Sequence, residues 1–178
     1  MRRVIVLAIA ALGVVVASVA SASAQRDTFA NGVWTGTGTI EGGIFGDVNV
    51  EGTGTVRFRM TICNGHALSG QLTFRETFHG VVRGQRFTGA ASGTLRIRNT
   101  DAIPIAVRGP VVVSATVLGV TTHTATQGSG RITGTGTARR MTGDLAIDAR
   151  ATQSASAAIG STTVEAPYVA RRTAPASC

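Results

Sequence analysis

The sequence predicts an all-β fold: a single antiparallel meander closing into a small barrel, with a β-sandwich as the alternative. Three observations carry this. Apolar and polar residues alternate with period two in run after run, the pattern of strands with one buried face. Residues that favour turns separate those runs at hairpin spacing. No segment beyond residue 24 shows a convincing helical period, and the best candidate, 151–159, is rich in Ala and Ser without an apolar stripe. Eight to ten strands at this spacing suit a barrel or a sandwich. Closure is preferred because it removes the exposed edges of a threonine-rich sheet.

The N-terminus reads as a cleaved signal peptide. Met1-Arg2-Arg3 is a positive n-region, residues 4–19 are apolar apart from Gly13 and Ser18, and Ala22-Ser23-Ala24 is a small-x-small cleavage site. A membrane anchor is the competing reading, since the run approaches spanning length; the small residues at 20–24 favour cleavage after Ala24. The expected organisation is a signal peptide over 1–24, one all-β domain over 25–170, and a C-terminal tail over 171–178. The protein is then exported, to the periplasm or beyond, and no later apolar run is long enough for a transmembrane helix. A hydrophobic fraction of 43% with 15% charged residues excludes a disordered chain. All 17 basic residues are arginine, and removing Arg2 and Arg3 leaves 15 against 9 acids, a formal +6. Such a charge attracts polyanions, anionic surfaces or acidic ligands.

The strands follow in order. Trp34-Thr35-Gly36-Thr37-Gly38-Thr39-Ile40 puts Thr on one face and Gly on the other, and the pattern recurs in part at 52–56 and 132–137. Rows of Gly admit a bulky side chain, a neighbouring sheet or a ligand, or serve the bends of a tightly curved barrel. Val56, Phe58, Met60 and Ile62 alternate with Arg57, Arg59 and Thr61. Leu68, Leu72, Phe74 and Phe78 share a face opposite Gln71, Thr73, Arg75 and Thr77. Leu95 and Ile97 alternate with Thr94, Arg96 and Arg98, and Leu145, Ile147 and Ala149 with Asp144, Asp148 and Arg150. Asn64-Gly65 reads as a hairpin turn. A plain two-residue turn would set Phe58 against Gln71 and put every following side chain on the wrong face. A three-residue loop, Asn64-Gly65-His66, or an equivalent bulge is therefore expected, setting Ile62 against Leu68, Phe58 against Leu72 and Val56 against Phe74. Further turns are expected near Gly42-Gly43, His79-Gly80, Asn99-Thr100-Asp101 and Gln127-Gly128.

Two cysteines remain after processing, Cys63 and Cys178. In an oxidising compartment an even count suggests one disulfide. That bond would tie the Arg-, Pro- and Ala-rich tail to the domain; two free thiols or an intermolecular bond through Cys178 are the alternatives.

Chemistry-bearing patterns are few. His66, His79 and His123 lack metal-ligand spacing, and no nucleophile elbow or phosphate loop is present. No metal or cofactor is expected. Glu76 is the odd carboxylate, following Phe74 on the apolar face of its strand, where it would bind a ligand, act as a base with a raised pKa, or end in water at the strand end. Arg57-Phe58-Arg59 and Arg96-Ile97-Arg98 each put two guanidinium groups on one face, suited to bidentate contact with phosphate or carboxylate. Arg75, Arg83 and Arg86 would extend that patch if the strands are neighbours. With 4% aromatic residues, few stacking platforms exist for a nucleic-acid partner.

Gly32-Val33-Trp34 resembles the Gly-x-Trp that opens the first strand of lipocalins and related small barrels. The resemblance covers three residues and implies an antiparallel barrel with Trp34 plugging one end and an apolar ligand inside. An outer-membrane barrel is disfavoured by missing aromatic girdles and by the ending Ala176-Ser177-Cys178.

The expected function is a secreted or periplasmic, non-enzymatic binding module for a small or anionic ligand. Its candidate contacts are Trp34, Arg57, Arg59, Glu76, Arg96 and Arg98. A structural or envelope-surface protein contacting a polymer is the alternative, and a small barrel enzyme the third.

Overall fold

A computed structural model describes residues 29–45, 48–101, 103–150 and 161–178. The expected signal peptide over 1–24 and the segment 151–159 lie outside the described residues. The described residues form nine strands: β1 (Gly32–Ile40), β2 (Gly43–Phe45), β3 (Val48–Cys63), β4 (His66–Val82), β5 (Gln85–Asp101), β6 (Ile105–Val117), β7 (Val120–Gly136), β8 (Arg140–Arg150) and β9 (Ser161–Pro175).

Every neighbouring pair is antiparallel, and each strand from β3 to β9 pairs with the next. The ring closes through β1 and β2, both of which lie between β3 and β9. These two short strands act as one stave interrupted at Gly42, whose φ of +83° suits glycine alone among the common residues. The architecture is thus a closed antiparallel meander, a barrel rather than a sandwich.

The alternation read from the sequence determines which side chains fill it. Val56, Phe58, Met60 and Ile62, then Leu72, Phe74, Leu95, Ile97, Leu145 and Ile147, all join one interior cluster. Phe29 packs edge-on against Trp34 at one end, with centroids 5.8 Å apart. At the other end Phe45 stacks against Phe78 and Phe87, at 5.3 and 5.6 Å. Phe58 meets Tyr168 in between. Interior glycines make room for these rings: a Cβ at Gly36 would collide with the Phe58 ring, and one at Gly93 with Phe74.

The β3–β4 hairpin resolves the register problem by a bulge. Asn64 and Gly65 form a two-residue turn with φ of 51° and 79°, as in a type I′ turn. Ile62 therefore lies opposite Ala67; the register then shifts by one, and Phe58 faces Leu72 and Val56 faces Phe74. The extra residue is Leu68, which the bulge turns outward, contrary to its expected place on the buried face.

Other turn expectations need correction. His79-Gly80 lies inside β4 and Gln127-Gly128 inside β7; the turns fall at Arg83-Gly84 and Leu118-Gly119. Gly80 and Gly128 instead leave space for Phe87 and Val111 side chains. Strand β5 runs through Asn99 and Thr100 to Asp101. Residues 171–175, expected in the tail, belong to β9, which crosses to β1 and pairs Arg172 with Trp34. Beyond it Cys178 is disulfide-bonded to Cys63, with Cα atoms 5.7 Å apart. No helix among the described residues is long and apolar enough to cross a membrane.

Candidate functional site

Strand registers bring the arginines of β3, β5 and β6 into one outward patch. Arg59 faces Gln71, Gln71 faces Arg96, and Arg96 faces Arg108, a straight row across four strands. At the usual strand spacing that row spans about 14 Å. Arg57 and Arg98 flank it, opposite Thr73 and Ser69, and Arg75 stands one row further along, opposite Ser92. All of these arginines are exposed. Among the described residues none of them makes an ion pair with a carboxylate. Of the exposed acids, Asp144, Asp148 and Glu165 lie on β8 and β9, away from this wall, whereas Glu51 lies on β3 at its opposite end.

Arg96 and Arg108 form a directly opposed like-charge pair, an arrangement that destabilises a sheet when nothing neutralises it. Nothing in the local sequence marks Arg108. It is an isolated arginine in Val107-Arg108-Gly109-Pro110, and only the β5–β6 register discloses its neighbour.

A shallow furrow runs up the same wall. At its arginine end it is a groove of 670 Å³ lined by Thr55, Arg57, Thr73, Arg75, Thr94 and Pro110. Here the β5–β6 ladder is interrupted between Gly93 and Arg96, where Pro110 has no N–H to donate. The furrow continues past Thr53, Thr77 and Ser114 to His123, then to Thr88, Thr116 and the His79–Glu51 pair at 3.3 Å. Thr and Ser hydroxyls recur along its length, interspersed with small and apolar residues such as Ala90 and the exposed Val112, and the guanidinium groups of Arg57 and Arg75 lie toward one end.

Glu76 sits on the other side of this wall. It is 4% exposed, inside the barrel, and its Oε1 has no hydrogen-bond partner. Burial pushes its pKa up to about 7, because removing a carboxylate from water disfavours the charged form. Glu76 and Ala91, with side chains pointing inward, form only the floor of the furrow near His123. His79 and His123 face outward, so neither joins Glu76 as an acid–base pair. At the far end, Arg172 Nε is likewise buried without a partner.

Trp34 is fully buried, and its indole N–H donates to the Ala30 carbonyl at 3.1 Å. It is a core residue beside Phe29, on the inner face of β1 opposite Met60, so it turns away from the outward arginines although its strand borders theirs. Of the six candidate ligand contacts, then, Arg57, Arg59, Arg96 and Arg98 converge, whereas Trp34 and Glu76 lie inside. Arg75 joins the patch; Arg83 and Arg86 lie at a hairpin tip at the Phe45 end.

The outward residues of β3–β5 are chiefly Thr, Arg, Ser and Gln, unlike the apolar band of a membrane-spanning barrel. No protein-family model matches this chain, and no curated protein is similar to it in sequence.

Proposed function

We propose that this protein is an exported, non-enzymatic binding module whose outer wall takes an extended anionic polymer of the cell envelope. The observation that carries this reading is the opposed pair Arg96 and Arg108, exposed and without a carboxylate partner among the described residues. Two guanidinium groups held side by side gain most when a polymer supplies the missing charges. The furrow that begins beside them, at Arg57 and Arg75, favours a polymer over a compact ion, since the Thr and Ser hydroxyls along it donate to and accept from polar chains. The interior is filled by apolar side chains, which favours a wall site over the apolar interior ligand of a lipocalin-like barrel. The rings of Trp34, Phe58, Phe74, Phe78, Phe87 and Tyr168 are buried and offer no outward platform for stacking bases. Export, with cleavage after Ala24, accords with the Cys63–Cys178 bond.

The test is calorimetric titration of the processed chain, 25–178, with dextran sulfate and with neutral dextran. Dextran sulfate is expected to bind, with affinity falling as salt rises, and neutral dextran is not. The Arg96→Gln/Arg108→Gln variant is expected to bind dextran sulfate about tenfold more weakly. Unchanged affinity in that variant, or equal binding of the neutral polymer, would overturn the reading.

A further inference from the structure

The three two-residue hairpin turns with positive φ at both positions are built on different residues at the two ends of the barrel. At the Trp34 end the first turn residue is Asn64, with φ of 51°. Asn is favoured in this left-handed region because its short polar side chain tolerates it. At the Phe45 end the equivalent positions are Arg83, with φ of 50°, and Leu118, with φ of 51°. A leucine gains nothing locally from that conformation, and its side chain is 76% exposed. Strain at an exposed tip, held by a side chain that folding does not bury, points to a contact outside the chain.

Leu118 is not isolated. Val120 is 67% exposed and Val81 53% exposed, and Val82 is also exposed. Val81 faces Arg86 across β4–β5, and Phe87 faces Val117 across β5–β6. One step beyond that second pair stand Arg86 and Leu118, so Val81, Arg86 and Leu118 share a row along the rim. The two hairpin tips are thus neighbours. Together they present four aliphatic side chains beside two arginines, Arg83 and Arg86, which make no ion pair among the described residues.

We propose that this rim docks the barrel on an anionic bilayer surface. Exposed aliphatic tips suit the boundary between head groups and acyl chains. The adjoining arginines suit anionic head groups and would be drawn by the surface potential. This complementarity selects a lipid surface over a second copy of the chain, whose rim would bring the same positive charges together. The proposal concerns a different surface from the arginine wall and does not depend on it. Docked this way, the furrow rises from the membrane toward the layer where envelope polymers lie.

The experiment is co-sedimentation of the processed chain with vesicles of equal parts phosphatidylglycerol and phosphatidylcholine, and with phosphatidylcholine alone. Residues 1–24 are omitted because their apolar run would itself enter lipid. The parent is expected to partition onto the anionic vesicles only. Leu118→Asn is expected to weaken partition at least about tenfold while leaving the midpoint of urea unfolding unchanged or higher, since Asn suits the turn. Arg83→Gln/Arg86→Gln is expected to weaken partition and flatten its salt dependence. Arg96→Gln/Arg108→Gln is expected to keep vesicle binding while binding dextran sulfate more weakly, which separates the two proposals. Parent-level partition in Leu118→Asn, partition onto phosphatidylcholine alone, or no partition of the parent would overturn the proposal.

Discussion

The Glu76 carboxyl lies over the bare Cα of Gly52: its Oε1 is 3.0 Å from where a Cβ at that position would sit. Gly52 on β3 therefore provides the space for an ionisable group inside the barrel, among Phe78 and other apolar side chains. The linkage follows directly. The pKa is raised in the folded state, from 4.5 to about 7, so the favourable contribution is fully present below pH 4.5 and is lost as pH rises toward 7. A shift of this size corresponds to about 3 kcal/mol. Urea unfolding of the parent and of Glu76→Gln should give stabilities whose difference moves in favour of the variant between pH 4.5 and 7, then levels off. Parallel pH profiles for the two proteins would show that Glu76 is not the titrating group.

Opposed arginines predict a trade between stability and binding. Arg108→Thr removes the like-charge neighbour of Arg96 and should raise stability by about 0.2–1 kcal/mol at low ionic strength, with the gain shrinking as salt screens the repulsion. The same variant should bind dextran sulfate less well. Thermal unfolding across a salt series, run beside the titration, checks both signs; a variant that is less stable at low salt contradicts the account.

Tethering of the last strand should matter more than its position at the chain end suggests. The Cys63–Cys178 bond closes a loop with a sequence separation of 115 and holds β9 where it pairs with β1. Cys178→Ser should lower the free energy of unfolding by about 2–4 kcal/mol, measured in guanidinium chloride without reductant. Adding reductant to the parent should reproduce the loss, and should leave the variant unchanged.

Gly36 and Phe58 should behave as a coupled pair, because the ring occupies the space a Cβ at Gly36 would need. Gly36→Ala should destabilise by about 1–3 kcal/mol through overpacking. In the background of Phe58→Leu the same change should cost less, and a double-mutant cycle gives the coupling energy. Additive effects would mean that the ring moves away freely.

Much of the barrel was legible because side-chain alternation is a local property. Val56, Phe58, Met60 and Ile62 declare their shared face within one strand, and Asn64-Gly65 declares the turn that follows. Even the bulge at Leu68 follows from requiring Phe58 and Leu72 to face the same core, although which residue it expels does not. Turns at Arg83-Gly84 and Leu118-Gly119 escaped because neither Arg nor Leu is a residue that favours the left-handed region, while Gly80 and Gly128 look like turn signals and instead accommodate side chains.

Local chemistry in the sequence determined the all-β class, the alternation of interior and exterior, and the outward face shared by Arg57 with Arg59 and by Arg96 with Arg98. The tertiary structure alone decided that β1 and β2 close the ring against β9, that Glu76 points inward while its neighbour Arg75 points out, and that Arg96 meets Arg108. The physical reason is range. A side chain's face is set by its own strand, with a period of two residues, whereas a cross-strand neighbour is set by a register that depends on every turn and bulge between the two strands.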